Sequence, residues 1–455
     1  MSELLLLAPE LLVLVGALIA LFADRITPRP RAAAHIGAPL ALIAAITAAF
    51  IGPRGGILAG MLALDSMAVF ARVAIAVLLA VWIRWVSGRG TGGERSAEAV
   101  ALAMLSAVGG MLMVSARDLI TLFISLELST MPAYVLMGYR RSDARGLEGA
   151  LKYFLLSMLT SLIMLYGLSF AYGISGSTAY ADLGVVDAGT LGQLAIAFVL
   201  VGLFAKLSAA PFHYWTPDAY AGAPAASVAY VSTVPKIGGV VALVQLVAAF
   251  AGNGGTVTAV LVAGSLLSML IGNLAAYPQT DLRRLMAYSG VAHSGYLLLA
   301  VAAGSAGGTA ALFYVVAYAV PSMAIMLLGS EEGTALDDLG GLATRRPVVA
   351  WAAVVWLLSL IGIPPMVGFF GKLMMFTAAL ESGLVWIVIV AVTMSVVSAG
   401  YYFRVLRAIF FGERLDASPA TRSVPAAIAY VVLTLLTLAL GIMASPVLEL
   451  FGLRL

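Results

Sequence analysis

The chain has 455 residues, 62% of them hydrophobic and 10% charged, with a formal charge of +3 and a mean hydropathy of +1.06. Soluble chains are nearer half apolar and about a quarter charged, so a soluble enzyme is excluded and an all-α polytopic membrane protein is expected, with the lipid bilayer and no nucleic acid as a partner. Cysteine is absent, which excludes disulfides, thiolate-held clusters and cysteine nucleophiles within the chain; His35, His213 and His293 match no metal-ligand spacing, and no phosphate-binding glycine loop or dinucleotide fingerprint occurs.

At about 20 apolar residues per crossing, fourteen spans are predicted: 3–22, 33–51, 63–86, 98–115, 118–138, 147–173, 190–214, 225–250, 256–276, 285–304, 308–330, 347–377, 384–411 and 424–443. The first has Glu3 and Glu10 where a secretory signal would carry basic residues, so a permanent helix is expected. The fourth and fifth almost touch at Ala116-Arg117-Asp118. The fifth holds Glu127 near its middle, with Pro132 five residues on. In the sixth, Glu148 precedes Lys152 by one helical turn, in the favourable order for an ion pair. That pair is either a snorkelling structural contact or a functional one.

The seventh span reads 204-FAKLSAAPFHYWTP-217. Pro211 cannot donate a backbone bond, so this helix is expected to break in mid-membrane, with Lys206 before the break and His213 after it. Such breaks are tolerated where they line a hydrated cavity. His213 taken alone is read as bonding a carbonyl that Pro211 frees. The eighth span has 234-VPKIGG-239, with Lys236 beside Pro235; the twelfth has 361-IGIPPMVGFFGKLMMF-376, where Pro364 and Pro365 precede Lys372. His293 lies in 287-AYSGVAHSGYLLLA-300, whose Ser and Gly suit close helix packing. Loops are short. The most polar, 331-EEGTALDDLGGLATRRP-347, is either a subunit-facing surface or a solvated loop.

Basic residues divide by kind: 21 are arginine and four are lysine. Sixteen arginines, among them Arg25, Arg29, Arg31, Arg89, Arg95, Arg140, Arg141, Arg145, Arg414 and Arg422, cluster on the side of the odd-numbered loops. Arg54, Arg117 and Arg454 lie opposite, which puts the odd loops in the cytoplasm and both termini outside. All four lysines, Lys152, Lys206, Lys236 and Lys372, fall inside spans. A charge near the bilayer centre costs about 2.5–3.5 kcal/mol on insertion scales, so such residues face the protein interior. Arginine stays protonated, whereas an amine can exist charged or neutral and so pass a proton on. Each lysine or histidine alone could be a local structural partner. As a set, Glu127, Lys206, Lys236, His293 and Lys372 supply titratable groups on separate helices, and that favours proton transfer.

Lys372 and Lys206 are 166 positions apart, as are His293 and Glu127. With a break expected at both lysines, spans four to eight are read as an inverted five-helix repeat of spans nine to thirteen. The organisation expected is a three-helix segment at 1–97, repeats at 98–250 and 256–411, and a C-terminal helix at 412–455, with broken helices at spans 7 and 12.

The segments 123-FISLELSTMPAYVL-136, 148-EGALKYFLLS-157, 204-FAKLSAAPFHYWTPDAYAGAP-224, 232-STVPKIGG-239, 281-DLRRLMAYSGVAHSGYL-297 and 359-SLIGIPPMVGFFGK-372 resemble the antiporter-like membrane subunits of respiratory complex I, the proton-pumping NADH:quinone oxidoreductase. The N type, counterpart of mitochondrial subunit 2, fits best in length, span number and lysine at 372. The resemblance implies that Glu127 and Lys206 form an ion pair that opens and closes, that Lys236 and His293 line a hydrated axis, and that Lys372 is the terminal lysine. It gives Lys152 a functional role as well. It further implies a bacterial inner-membrane location and other complex I membrane subunits as partners. NADH, FMN, iron–sulfur clusters and quinone are expected in partner subunits and no cofactor in this chain. Cation/proton antiporter subunits and hydrogenase-type membrane subunits share these motifs and form the alternative.

Overall fold

The computed structural model describes residues 3–26, 32–89, 96–140, 143–186, 189–250, 254–413 and 423–453. In chain order their helices are α1 (Glu3–Leu6), α2 (Ala8–Ile26), α3 (Ala32–Ile51), α4 (Ser66–Arg89), α5 (Ser96–Met113), α6 (Leu119–Met137), α7 (Ala144–Ser175), α8 (Thr190–Leu207), α9 (Trp215–Gly222) and α10 (Ala225–Val231). There follow α11 (Val234–Ala249), α12 (Gly254–Ala276), α13 (Leu282–Ala302), α14 (Ser305–Glu332), α15 (Leu342–Arg345), α16 (Pro347–Ile361), α17 (Val367–Glu381), α18 (Val385–Phe411), α19 (Val424–Ile442) and α20 (Ala444–Leu450). Among the described residues the strands are one small hairpin, Gly55–Ile57 with Leu62–Leu64. The chain is an all-α polytopic membrane protein.

Twelve described segments are long and apolar enough to cross a bilayer, and Pro347–Ile361 is a shorter apolar helix. Every one of the fourteen expected segments meets a helix. Helix α2 is itself 19 residues long, and the twelfth span is divided because α16 stops at Ile361 and is continued by α17. Arg29, Arg31, Arg95, Arg141, Arg414, Arg422 and Arg454 of the orientation pattern lie outside the described residues, and only the backbone of Arg25 and Arg89 is described.

Side-chain caps fix where several spans begin. Asp118, Asp143 and Asp281 each accept two backbone N–H bonds from the first turn of α6, α7 and α13, at 2.8–3.3 Å, satisfying donors that a helix start leaves open. The cap at Asp118 separates α5 from α6 where the sequence let the two spans nearly merge. Small residues then let helices approach closely. A Cβ on Gly272 would sit 2.4 Å from the Ala292 backbone nitrogen, and one on Gly295 would sit 2.8 Å from that of Met269. Ser265 Oγ reinforces the same seam by donating to the Gly295 carbonyl at 2.7 Å.

The breaks expected in the seventh and twelfth spans are present, between α8 and α9 and between α16 and α17. The peptide bonds Ala210–Pro211 and Pro364–Pro365 within them are cis. A third break, at Ser232–Thr233, divides the eighth span. It leaves Pro235 in the first turn of α11, where a missing N–H is harmless. Pro132 and Pro321, by contrast, lie inside continuous helices.

The register of the breaks corrects one expectation. Ser208 and Gly362, which close the helices with φ of 61° and 94°, are 154 positions apart (362 minus 208), as are Pro211 and Pro365 (365 minus 211). The lysine offset of 166 is therefore not the register of the breaks: Lys206 ends the helix before one break, and Lys372 sits on the helix after the other. The loop 331–347 is also folded more tightly than a solvated loop. Arg345 bonds Glu332 at 2.9 Å, and Arg346 bonds Glu331 and Glu332 at 2.5 and 2.8 Å, with both glutamates buried.

Burial is uneven, and this positions the site. The best apolar window of α14 is 100% buried and that of α13 89%, against 33% for α18 and α19. The polar side chains described next gather around α13 and α14, away from the lipid-facing rim.

Candidate functional site

Helix ends set the positions of the lysines. Leu360 and Ile361, at the end of α16, have carbonyls that no further turn can satisfy. Lys372 Nζ donates to both, at 3.0 and 2.8 Å, and to Ser395 Oγ on α18 at 2.8 Å. The negative end of a helix suits an ammonium. Gly362 makes room for it, since a Cβ there would lie 3.0 Å from Lys372 Cδ at a φ of +94°. Gly362→Ala is expected to cost about 1–2 kcal/mol from the left-handed backbone alone and to displace the lysine stem. A lowered thermal denaturation midpoint of the purified chain checks this, and an unchanged midpoint contradicts it.

Lys236, in the first turn of α11, donates to the Gly290 carbonyl and to Ser294 Oγ, both at 3.1 Å, and lies 5.0 Å from the Tyr318 ring centre. His293 is the centre of the group. Its Nδ1 meets the Tyr314 hydroxyl at 2.5 Å and its Nε2 the Tyr402 hydroxyl at 3.1 Å, and Tyr402 continues to Ser289 Oγ at 2.5 Å. Its ring packs 4.8 Å from Tyr318, which Lys236 overlies, and 5.8 Å from Tyr296, which Lys372 overlies at 5.3 Å. The imidazole thus stands between two lysine amines, with a hydroxyl on each nitrogen. A ring so placed can take a proton on one nitrogen and release one from the other.

Lys206 closes α8 and is held by α6: its Nζ donates to Thr130 Oγ1 at 2.7 Å and lies 3.4 Å from Ser129 Oγ. Gly239 admits its stem, for a Cβ there would be 3.1 Å from Lys206 Cγ. A cavity of about 10 Å³ beside it is lined in part by Thr130, Ser157, Thr160 and Ser161, large enough for roughly one water. The link from this end of α8 to Lys236 runs through backbone. Ser294 Oγ sits 2.5 Å from the Leu207 carbonyl and also receives Lys236.

The implied Glu127–Lys206 ion pair is not formed. Both Glu127 carboxylate oxygens are buried with no hydrogen-bond partner, while the amine rests on Thr130, one helical turn farther along the same face. His213 keeps a polar contact with the backbone at Pro211, within the break itself. Its Nδ1 is buried with no hydrogen bond, and its ring stacks 5.0 Å from Tyr214. The freed Leu207 carbonyl is taken by Ser294, and Trp215 Nε1 donates to that of Ala205 at 3.2 Å. Lys152 stands apart, with 44% of its side chain exposed, between Glu148 at 2.8 Å and Asp218 at 2.9 Å; Arg284 joins Asp218 at 3.1 Å.

Sequence reasoning passed over the tyrosines Tyr296, Tyr314, Tyr318 and Tyr402, the hydroxyls of Thr130, Ser294 and Ser395, and Asp218. Thr130, three residues beyond Glu127, and Ser294, next to His293, were within reach of helical spacing. The tyrosines had no signal distinguishing them from core aromatics.

A family model described as NADH:quinone oxidoreductase/Mrp antiporter, TM, matches residues 116–398. The NADH-quinone oxidoreductase subunit N of Rhizorhabdus wittichii is 36% identical, over 98% of this chain and 97% of that one. A chain of respiratory complex I from Thermus thermophilus with bound aureothin superposes with a TM-score of 0.86 at 30% identity, covering 97% of this chain and 98% of that one. A chain of the Mrp complex from Dietzia shares the fold, with a TM-score of 0.85 at 24% identity over 99% and 97% of the two. The chain belongs to the family of antiporter-like membrane subunits of NADH:quinone oxidoreductase, and within it is most like subunit N.

Proposed function

We infer that this chain is a proton-translocating membrane subunit of a bacterial NADH:quinone oxidoreductase, assembled with the other membrane subunits, further antiporter-like ones among them. The observation that carries the reading is the buried group in which His293 bridges two hydroxyls between Lys236 and Lys372. Electron transfer among NADH, flavin, clusters and quinone is assigned to partner subunits; this chain moves protons in response.

The coupling step is a short swing of Lys206 along α6, from the Thr130 hydroxyl to the Glu127 carboxylate. A carboxylate beside an amine favours its charged form, and withdrawal favours release. A proton released there passes by way of the Lys236 end of the group to His293 and on to Lys372. Lys152, with Glu148 and Asp218, supplies a charged patch on the surface for the same exchange, and His213 a further titratable group at the break.

The two halves at 98–250 and 256–411 are taken as inverted repeats, after a segment at 1–97 and before a helix at 412–455. A matching pair of devices supports this. Asp118 caps α6 and bridges to Ala179, just before a 3-10 turn; Asp281 caps α13 and bridges to Ala335, just before another. With five spans in each half the second copy is inverted, and the arginine distribution then places both termini on the outer side of the inner membrane.

Affinity purification of the tagged chain from native membranes in mild detergent tests the assignment. NADH:quinone oxidoreductase activity should co-purify with the chain. Its absence, with small antiporter subunits in its place, would transfer the chain to a cation/proton antiporter.

A further inference from the structure

We propose that the groove between the start of α16 and the end of α18 binds an anionic phospholipid. The groove is shallow and open on its outer side, with a volume of about 460 Å³, a shape that suits a ligand lying along the bilayer-facing surface. Its walls are Trp351, Val354, Phe403, Leu406 and Phe410, with Arg407 the one charged residue on it. Trp351 is 64% exposed and packs edge-on against Phe410, with ring centres 5.4 Å apart. Trp351 stands about one turn from the start of α16, the level at which amphipathic aromatic rings meet lipid headgroups, and Phe410 lies in the last turn of α18.

Charge selects the ligand. The other described basic residues near these helix ends are engaged: Arg404 with the Tyr277 and Gln279 carbonyls, and Arg345 and Arg346 with Glu332 and Glu331. Arg407 is exposed and, among the described residues, makes no hydrogen bond or ion pair. Its planar fork fits a phosphate in two-point fashion, and the aromatic and aliphatic walls below it fit an acyl chain. A free phosphate would use the guanidinium and leave the apolar walls wet; an apolar helix of another chain would cover the walls and leave a buried cation unpaired. A lipid whose headgroup carries net negative charge satisfies both.

The site is independent of the proton-transfer reading, and so is its test. Four of the six tryptophans are buried, leaving Trp351 and Trp386 exposed. In a Trp386→Phe background, therefore, Trp351 is the exposed fluorophore. The full-length chain is reconstituted into phosphatidylcholine vesicles containing a minor fraction of dibrominated phosphatidylglycerol, or the same fraction of dibrominated phosphatidylcholine. Brominated phosphatidylglycerol should quench Trp351 at about one-fifth of the concentration needed of the neutral lipid, the preference one arginine gives near a headgroup. Arg407→Gln should bring the two lipids to parity, and Arg407→Lys should keep most of the preference. Equal quenching in the parent, a preference that survives Arg407→Gln, or no quenching by either lipid because protein covers the groove would each overturn the proposal.

Discussion

Lys206→Ala should lower NADH-driven proton uptake by inverted membrane vesicles at least about 100-fold, the scale set by removing a positioned proton-transfer group. Electron flow from NADH to a water-soluble acceptor should be unchanged, because that reaction needs nothing from the membrane arm. In the proposed mechanism the amine is the moving part: it rests on Thr130 at 2.7 Å, one turn from a carboxylate that has no partner of its own. No neighbouring amine can replace it, since the other groups in reach are hydroxyls, backbone and the Glu127 carboxylate itself. Lys206→Arg sharpens the result. Arginine keeps the charge and can reach Glu127, but it does not release a proton at ordinary pH, so pumping should fail in that variant as well. A fixed structural cation would tolerate it. Pumping at the parental rate in Lys206→Ala would remove this residue from the mechanism.

The parts of the molecule legible from sequence were those governed by local chemistry. Apolar runs gave the spans, and Pro211 and Pro364–Pro365 marked two breaks because proline acts on its own helix. Lysines restricted to spans pointed to the interior amines Lys236 and Lys372 because the cost of burying them is a property of the residue. What failed depended on contacts between distant segments. Lys236 is held by Gly290 and Ser294, 54 and 58 positions away, and nothing in either stretch announces the other. The offset of 166 misled because two equal differences between four residues carry no geometry; the break residues themselves give 154, and reading them needed the backbone. Tyr314 and Tyr402 were hidden for another reason. In an apolar span an aromatic ring is the expected filling, and only its hydroxyl's position on His293 separates it from packing. Lys152 shows the converse, for a lysine inside a span can still face outward, and α7 presents it beside Asp218 on the surface.

Glu10→Ala should destabilise the chain by about 3–5 kcal/mol, the cost of leaving one member of a buried ion pair alone. Arg72 Nε meets Glu10 Oε1 at 2.7 Å and its Nη2 meets Oε2 at 2.5 Å, a two-point pairing, and the same Nη2 donates to the Leu6 carbonyl at 3.0 Å. The side chains are 0% and 5% exposed, so neither charge can turn to water. This pair fastens α2 to α4, remote in sequence from the lysines of the proposed site. It is also where arginine leaves the loops and enters the bilayer. An arginine there is a fixed charge, suited to holding two helices together and unsuited to carrying protons, which is why its loss should register in stability. The double replacement Glu10→Leu with Arg72→Met removes both charges and should recover most of the loss, since an apolar pair of similar volume avoids the desolvation altogether. Thermal denaturation of the purified chain gives the readout, and proton uptake per folded complex should be equal in parent and double variant. A double variant as unstable as Glu10→Ala would mean that the shape of the pair, and not its charge, holds α2 against α4.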